Sequence, residues 1–346
     1  MSVLDGWDGW DGWDGWDGWD GWDGWDGWSS TSGQGGRGNG SALALARTRE
    51  ALVQGAPTTL PPRPPGWPFE RAGDALLGLS GAARQQLIVL ELLQQLQFSP
   101  YDPAYPTLTL AYGGSTLHQQ VAPDEAVFQA QLADVELMAD LRSERAAEIQ
   151  AQLRFNPAFW ANILPLSPRN TPWTLTLMQV VVSYASFIVQ RSKACFNLPR
   201  PQALSPRIQP MVPTPGYATY PSGHATESRL VARALQALLT QGLQIPKGGD
   251  SKAPLSHQGW LDAHNRMLDD LALRIGQNRE VAGLHFATDT SAGVDLANAL
   301  FKGHLAPESR RTVHPENPAR DGSSFAWLWQ MARLEWVAVP QARSAS

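Results

Sequence analysis

Three short segments carry residues whose types and spacing could do chemistry. The first is Lys193-Ala-Cys-Phe-Asn-Leu-Pro-Arg200-Pro201, at the end of an apolar run. Two cations at such a junction need an anionic partner unless water solvates them. The second is Tyr220-Pro221-Ser222-Gly223-His224, which reads as the opening of a helix. Ser and Pro favour a helix N-terminus, Gly223 lets a ligand approach the backbone, and the free amides there bind anions. The third is Arg279, then His285, then Asp289. If this stretch is helical, His285 and Asp289 lie four apart on one face. Asp289 can then hold one imidazole nitrogen and leave the other as nucleophile or ligand. Lys193, Arg200 and Arg279 as cations, Ser222 and Gly223 as neutral donors, and the two histidines make the set a trigonal-bipyramidal oxyanion requires. Three equatorial oxygens take the cations and N–H groups, one apical position takes the attacking histidine, and the other needs a proton donor. The pattern implies no metal cluster.

The elements that must position these residues read as mainly α. Helical spacing runs through 41–54, 81–98 (with Leu87, Leu90, Leu93 and Leu96 near one face), 124–154 as one long or broken helix, 172–196, 222–241, 256–282, 285–300 and 323–337. Residues 172–196 have no polar face and so belong at the centre of the fold. Pro-rich 57–68 and 199–215 read as extended chain and loop. Residues 99–115 read as a long loop with a short extended piece at 107–111. Arg142 to Glu148 reads as a solvated helix face, and the lone Cys195 as packing.

Composition narrows the function classes. The 346 residues have mean hydropathy −0.27 and formal charge −5. Residues 5–28 are eight copies of Asp-Gly-Trp, and removing their eight aspartates leaves +3. Neither balance provides the clear basic face that nucleic-acid binding requires. A single cysteine excludes an intrachain disulfide framework. A three-residue period fits no solenoid unit, and Gly at every third place opposes a helix. Residues 1–40 therefore read as a disordered low-complexity tail and linker, and 41–346 as one helical domain.

Taken singly, each motif is weak, since a lone histidine such as His257 or His264 is more often a surface helix residue than a ligand. Together, Lys-x6-Arg-Pro, Pro-Ser-Gly-His and Arg-x5-His-x3-Asp resemble the type 2 phosphatidic acid phosphatase (PAP2) and vanadium haloperoxidase superfamily, over about residues 173–300. The resemblance implies a helical bundle with long Pro-rich loops. It implies His285 as the phosphoryl-accepting nucleophile or the axial ligand of vanadate, and Asp289 as its orienting partner. His224 would be general acid and later base, and Lys193, Arg200, Ser222, Gly223 and Arg279 would bind the oxyanion. Tyr217 and Phe286 could line a halide pocket but are not the residues haloperoxidases carry there.

The expected activity is accordingly phosphoric monoester hydrolysis on a small phosphorylated or oxyanion substrate, without a cofactor. The alternative is a vanadate-dependent haloperoxidase using peroxide and halide. A third possibility is a non-catalytic protein whose Trp-rich tail binds a partner. No basic-then-apolar leader is visible, and no uncharged apolar run reaches the roughly 18 residues of a membrane span. The expectation is therefore a cytoplasmic protein without a transmembrane segment. Oligomeric state is not readable.

Overall fold

The computed structural model describes residues 76–100, 106–242, 257–306 and 323–336, all within one compact unit, Gly73–Ser346. The Asp-Gly-Trp repeat, the expected helix at 41–54 and the Pro-rich segment at 57–68 lie outside the described residues.

In chain order, the described elements begin with α1 (Gly81–Gln94), β1 (Leu96–Phe98), β2 (Thr107–Tyr112), β3 (Ser115–Val121) and α2 (Glu125–Met138). A 3-10 turn (Ala139–Leu141) leads to α3 (Arg142–Ala151), α4 (Ala158–Ala161), α5 (Pro172–Phe196) and α6 (Pro201–Leu204). Then come α7 (Gly223–Gly242), α8 (His257–Val281), α9 (Ala287–Leu300), a π turn (Phe301–Leu305) and α10 (Ser324–Leu334). The mainly-α reading stands.

α5 has the central place its composition demands. Leu177, Met178, Val180, Val181, Tyr184, Ala185, Ile188 and Val189 are almost fully buried, against α1, α7 and α10. Two carboxylates fasten the helix ends around it. Glu335 accepts from the amides of Trp173 and Thr174 at the N-terminus of α5, at 2.7 and 2.8 Å. Glu91 on α1 accepts from Ser324 N (3.2 Å) and Oγ (2.9 Å) at the start of α10. Each satisfies amides that have no intrahelical partner and opposes the positive end of the helix dipole.

Several local expectations need correction. The expected short extended piece at 107–111 is the middle of a sheet rather than a break in a long loop. Leu96–Phe98, Thr107–Tyr112 and Ser115–Val121 pair antiparallel in the order β1-β2-β3, with Tyr112 opposite Ser115 across Gly113-Gly114. Both glycines have positive φ, 58° and 81°, as a two-residue hairpin turn requires. The prolines flanking Thr-Leu-Thr-Leu hid that signal. In α1 the buried face is Ile88, Val89, Glu91 and Leu92, while Leu90 is 52% exposed. A strict three-residue stripe drifts off a 3.6-residue period.

Arg142 to Glu148 is not simply a solvated face. Arg142 Nε donates to Val281 O at 2.9 Å, Arg145 to Asn278 Oδ1 at 3.1 Å, and Glu148 takes both Arg274 and Asn278. Only Glu144 in this group of charged residues is exposed as expected.

Candidate active site

The three motifs lie at three helix termini, and each spacing has a local cause. Lys193 sits in the last turn of α5, which ends in a left-handed Asn197 (φ 46°) whose amide bonds Lys193 O at 2.9 Å. Lys193 Nζ reaches the carbonyls of Ala218 and Thr219, both at 2.7 Å. Arg200, just before α6, donates to Tyr217 O (2.9 Å), Leu284 O (2.9 Å) and Ala218 O (3.4 Å). Two buried cations thus hold the chain ahead of the second motif through neutral carbonyls. The Tyr217 ring lies 5.2 Å from Lys193 Nζ and 5.3 Å from the Arg200 guanidinium carbon. That geometry is a cation–π cover.

Ser222 precedes α7. Its carbonyl takes the Thr226 amide, and its own amide donates to Asp289 O at 3.0 Å, so α7 and α9 start side by side. The close approach depends on Gly293, where an added Cβ would lie 2.7 Å from Ser222 O. The first amides of α7 have no intrahelical partner and are the donors an anion would meet.

The Arg-x5-His spacing follows from how α8 ends. Leu284 N bonds Arg279 O and Gly283 N bonds Glu280 O, a Schellman closure around Gly283 at φ 76°. An added Cβ at Gly283 would meet Arg142 Nη2 at 2.8 Å. His285 therefore leaves the turn beside Arg279. It is not helical, contrary to the sequence reading, because α9 starts at Ala287. The pairing with Asp289 arises differently: Asp289, in the first turn of α9, folds back. Its Oδ2 accepts from Phe286 N (3.0 Å), His285 Nδ1 (3.0 Å) and the Thr219 hydroxyl. Nδ1 is thus the protonated nitrogen of His285, and Nε2 keeps its lone pair.

His224, in the first turn of α7, is held from elsewhere. Its Nε2 donates to the backbone carbonyl of Gln152, just past α3, at 2.8 Å. Gln152 Oε1 accepts from Asn278 Nδ2 at 2.8 Å. Arg279 Nη2 donates to Ile149 O at 3.0 Å, while its Nε and Nη1 are buried with no hydrogen-bond partner among the described residues.

The electrostatics are those of buried cations short of an anion. Burial first, then Arg200, brings the Lys193 ammonium down to about 7. Burial brings the Arg279 guanidinium down to about 10. Burial, with the nearby cations, lowers His285 to about 4 despite its bond to Asp289. Burial, Arg279, His285 and Lys193 lower His224 to about 3. Both imidazoles are neutral at pH 7.

All eight expected residues converge on this one place. Phe286 does not line it, being wholly buried with its ring 4.6 Å from Phe128. His264 stacks on Trp260 on the surface of α8, at 3.6 Å. Sequence reasoning missed Thr219, Gln152 and Glu227. Gln152 is 72 residues from His224 and gave no signal. Glu227, one turn past His224 on the same helix, could have been found by its spacing.

The fold and site together make a helical bundle that gathers buried cations and unpaired helix amides at its helix termini. Residues 202–302 match the family described as the VCPO second helical-bundle domain. Over that segment the match agrees with the resemblance of the three motifs to the PAP2 and vanadium haloperoxidase superfamily. No curated relative matches. Among solved structures, the chain is similar to a transmembrane PAP2-type phosphatidylglycerolphosphate phosphatase from Bacillus subtilis. Identity is 15% and the TM-score 0.29, covering 78% of this chain and 97% of that one.

The expectation of a cytoplasmic protein without a membrane-length segment is corrected. Pro172–Leu204 is long and apolar enough to cross a membrane, with mean hydropathy 1.4 over its window. The sequence reading required an unbroken uncharged run and discounted this stretch for its Thr, Gln and Ser. Of that window, 67% is buried among the other helices.

Proposed function

We propose that this site hydrolyses phosphoric monoesters through a phosphohistidine on His285. The observation that carries the reading is Arg279, a buried guanidinium with two unpartnered nitrogens in a site of desolvated cations. Leaving such donors unpaired is costly, and a bound oxyanion satisfies them. Lys193, Arg200, Arg279, the Ser222 hydroxyl and the Gly223 amide hold the non-bridging oxygens, the charge stabilisation on which phosphoryl transfer depends.

The Nε2 lone pair of His285 attacks phosphorus, opposite the ester oxygen. The phosphorus–oxygen ester bond breaks, and His224 gives its proton to the leaving alcohol. His224, now neutral, takes a proton from water as that water attacks the phosphohistidine, releasing phosphate and restoring His285. In the free enzyme His224 is neutral, its one proton on Nε2 and committed to the Gln152 carbonyl. Its acid role therefore needs the substrate's negative charge to raise its proton affinity, so the acid is armed only when substrate is bound. Asp289 keeps the His285 ring in the right tautomer and stabilises the positive charge it acquires. The substrate is a small phosphorylated molecule, and the chemistry uses no resident cofactor.

The match to the VCPO domain supports a second reading, a vanadate-dependent haloperoxidase. The residues fit vanadate as they fit phosphate: His285 Nε2 would hold the metal, and the same donors its oxygens. Bound vanadate would activate peroxide toward a halide. Phosphate-ester hydrolysis is the better reading because Phe286 is sealed against Phe128 and the Tyr217 ring is taken up by Lys193 and Arg200.

The test is hydrolysis of p-nitrophenyl phosphate by the full chain with chelator present and vanadate titrated in. Turnover of about 1 per second or more, blocked by vanadate, supports the phosphatase. Negligible turnover with vanadate still bound, followed by bromide oxidation with peroxide, replaces it with the haloperoxidase.

A further inference from the structure

Glu227 has no part in the chemistry above, yet it lies in the same place. It shares with His224 the lining of a cavity between the segment after α3 and helices α7 and α8. Its Oε1 comes within 3.8 Å of where a Cβ on Gly223, the first residue of α7, would sit. Its carboxyl makes no hydrogen bond among the described residues. The titratable groups around it are His224 on its own helix, Lys193 from α5, Tyr217 from the segment before α7 and Arg154 from the segment after α3, while α8 contributes the uncharged Ile275.

Resting on the oxyanion reading of the site, we propose that Glu227 is a further anion-contacting residue that meets the bound oxyanion as a protonated, hydrogen-bond-donating carboxyl. An ionised carboxylate there would compete with the oxyanion for Lys193 and repel it. The neutral acid does neither, and it offers an O–H to an oxygen that the cations leave uncovered. Binding above the titration range of the free carboxyl therefore draws one proton from solvent onto Glu227. Below that range the proton is already present. Burial pushes this carboxyl up to about 8, with Lys193 opposing the rise, so the resting enzyme already holds much of the proton near neutral pH. Lys193, itself brought down to about 7, also takes up a proton when an anion arrives. The experiment must separate the two.

Tungstate is a suitable probe because it is a tetrahedral dianion that does not itself titrate in this range. Calorimetry of the full chain with tungstate at about pH 9, in two buffers of different ionisation enthalpy, gives the number of protons taken up on binding. In Glu227→Gln, which keeps Lys193, that number should fall by about half or more, and affinity should weaken less steeply above about pH 8 than in wild type. Glu227→Ala should show the same lower proton number without the isosteric amide, and thermal melting checks that both variants fold. Equal proton numbers and equal pH slopes in wild type and both variants would overturn the role of Glu227 and leave the cradle standing. If wild type does not bind tungstate at all, the cradle reading itself fails and this inference with it.

Discussion

The two histidines of the site are held in opposite ways. His285 stands in a short, self-contained segment. The turn before it is closed by Gly283 and Leu284 on the last turn of α8. Arg200 bonds the Leu284 carbonyl and Met211 the Ala282 carbonyl. Its ring is fixed by Asp289, four residues on. His224 has one ring partner, the Gln152 carbonyl, 72 residues away. The proposed nucleophile is thus tied to a local motif, while the proposed acid is placed by tertiary packing. A bond formed across the fold depends on everything between its ends, so His224 is the more easily displaced of the two.

The largest expected effect tests whether the two really divide the work. His285→Ala should lower kcat/KM by about 10⁴-fold or more, the scale on which removing a nucleophile acts, and do so for every ester. His224→Ala should cost about 10² to 10⁴-fold, the range of general acid–base catalysis. Its effect should be small for p-nitrophenyl phosphate, whose leaving group needs little protonation, and large for an alkyl phosphate. Kinetics of both variants on the two esters decide the matter. A His224→Ala loss that ignores the leaving group would break the assignment.

A smaller effect concerns what the histidines share. Both are buried neutral, His285 lowered to about 4 and His224 to about 3, against 6.5 in an unfolded chain. Between those values the unfolded state binds more protons, so stability is complete above about pH 6.5 and falls as pH drops toward 4. Thermal melts should show Tm declining over that window. Phosphate should offset the decline, because the bound anion lets the histidines charge in place. A flat Tm from pH 7 to about 4 would mean that the rings are not sealed as described.

What the sequence made legible follows the same division. Lys193, Arg200, Ser222, His224, Arg279, His285 and Asp289 are carried by short motifs at helix ends. Caps, a left-handed Asn197 and a Schellman glycine turn local spacing into geometry, so the motif residues could be read directly. Even there the local argument took a wrong route: His285 meets Asp289 through a helix cap rather than along a helix face. The groups that set the field of the site were not legible. Arg145 and Glu148 on α3 and Gln152 just past it look like ordinary surface residues, and only packing against α8 turns them inward. The β-hairpin was hidden for a related reason: its turn signal, Gly113-Gly114, sat among prolines that suggested loop.

Gln152 offers the most discriminating test of that hidden support, because its side chain and its backbone do different things. Gln152→Ala keeps the carbonyl that receives His224 Nε2. It removes Oε1 from Asn278 Nδ2 and Nε2 from Glu148. It also removes the oxygen that faces Arg279 Nη2 at 3.5 Å. Leaving a buried donor on Asn278 unpaired should cost about 1–3 kcal/mol of stability, read by urea denaturation. With its side chain gone, the segment after α3 loses its fastening to α8, and the carbonyl under His224 can shift. Small misplacements of a catalytic group are expensive, so kcat should fall by about tenfold with KM little changed. The loss should carry the His224 signature, greater for an alkyl phosphate than for p-nitrophenyl phosphate. A loss equal for both esters would instead point to Arg279 as the residue displaced, since the cradle serves every substrate alike.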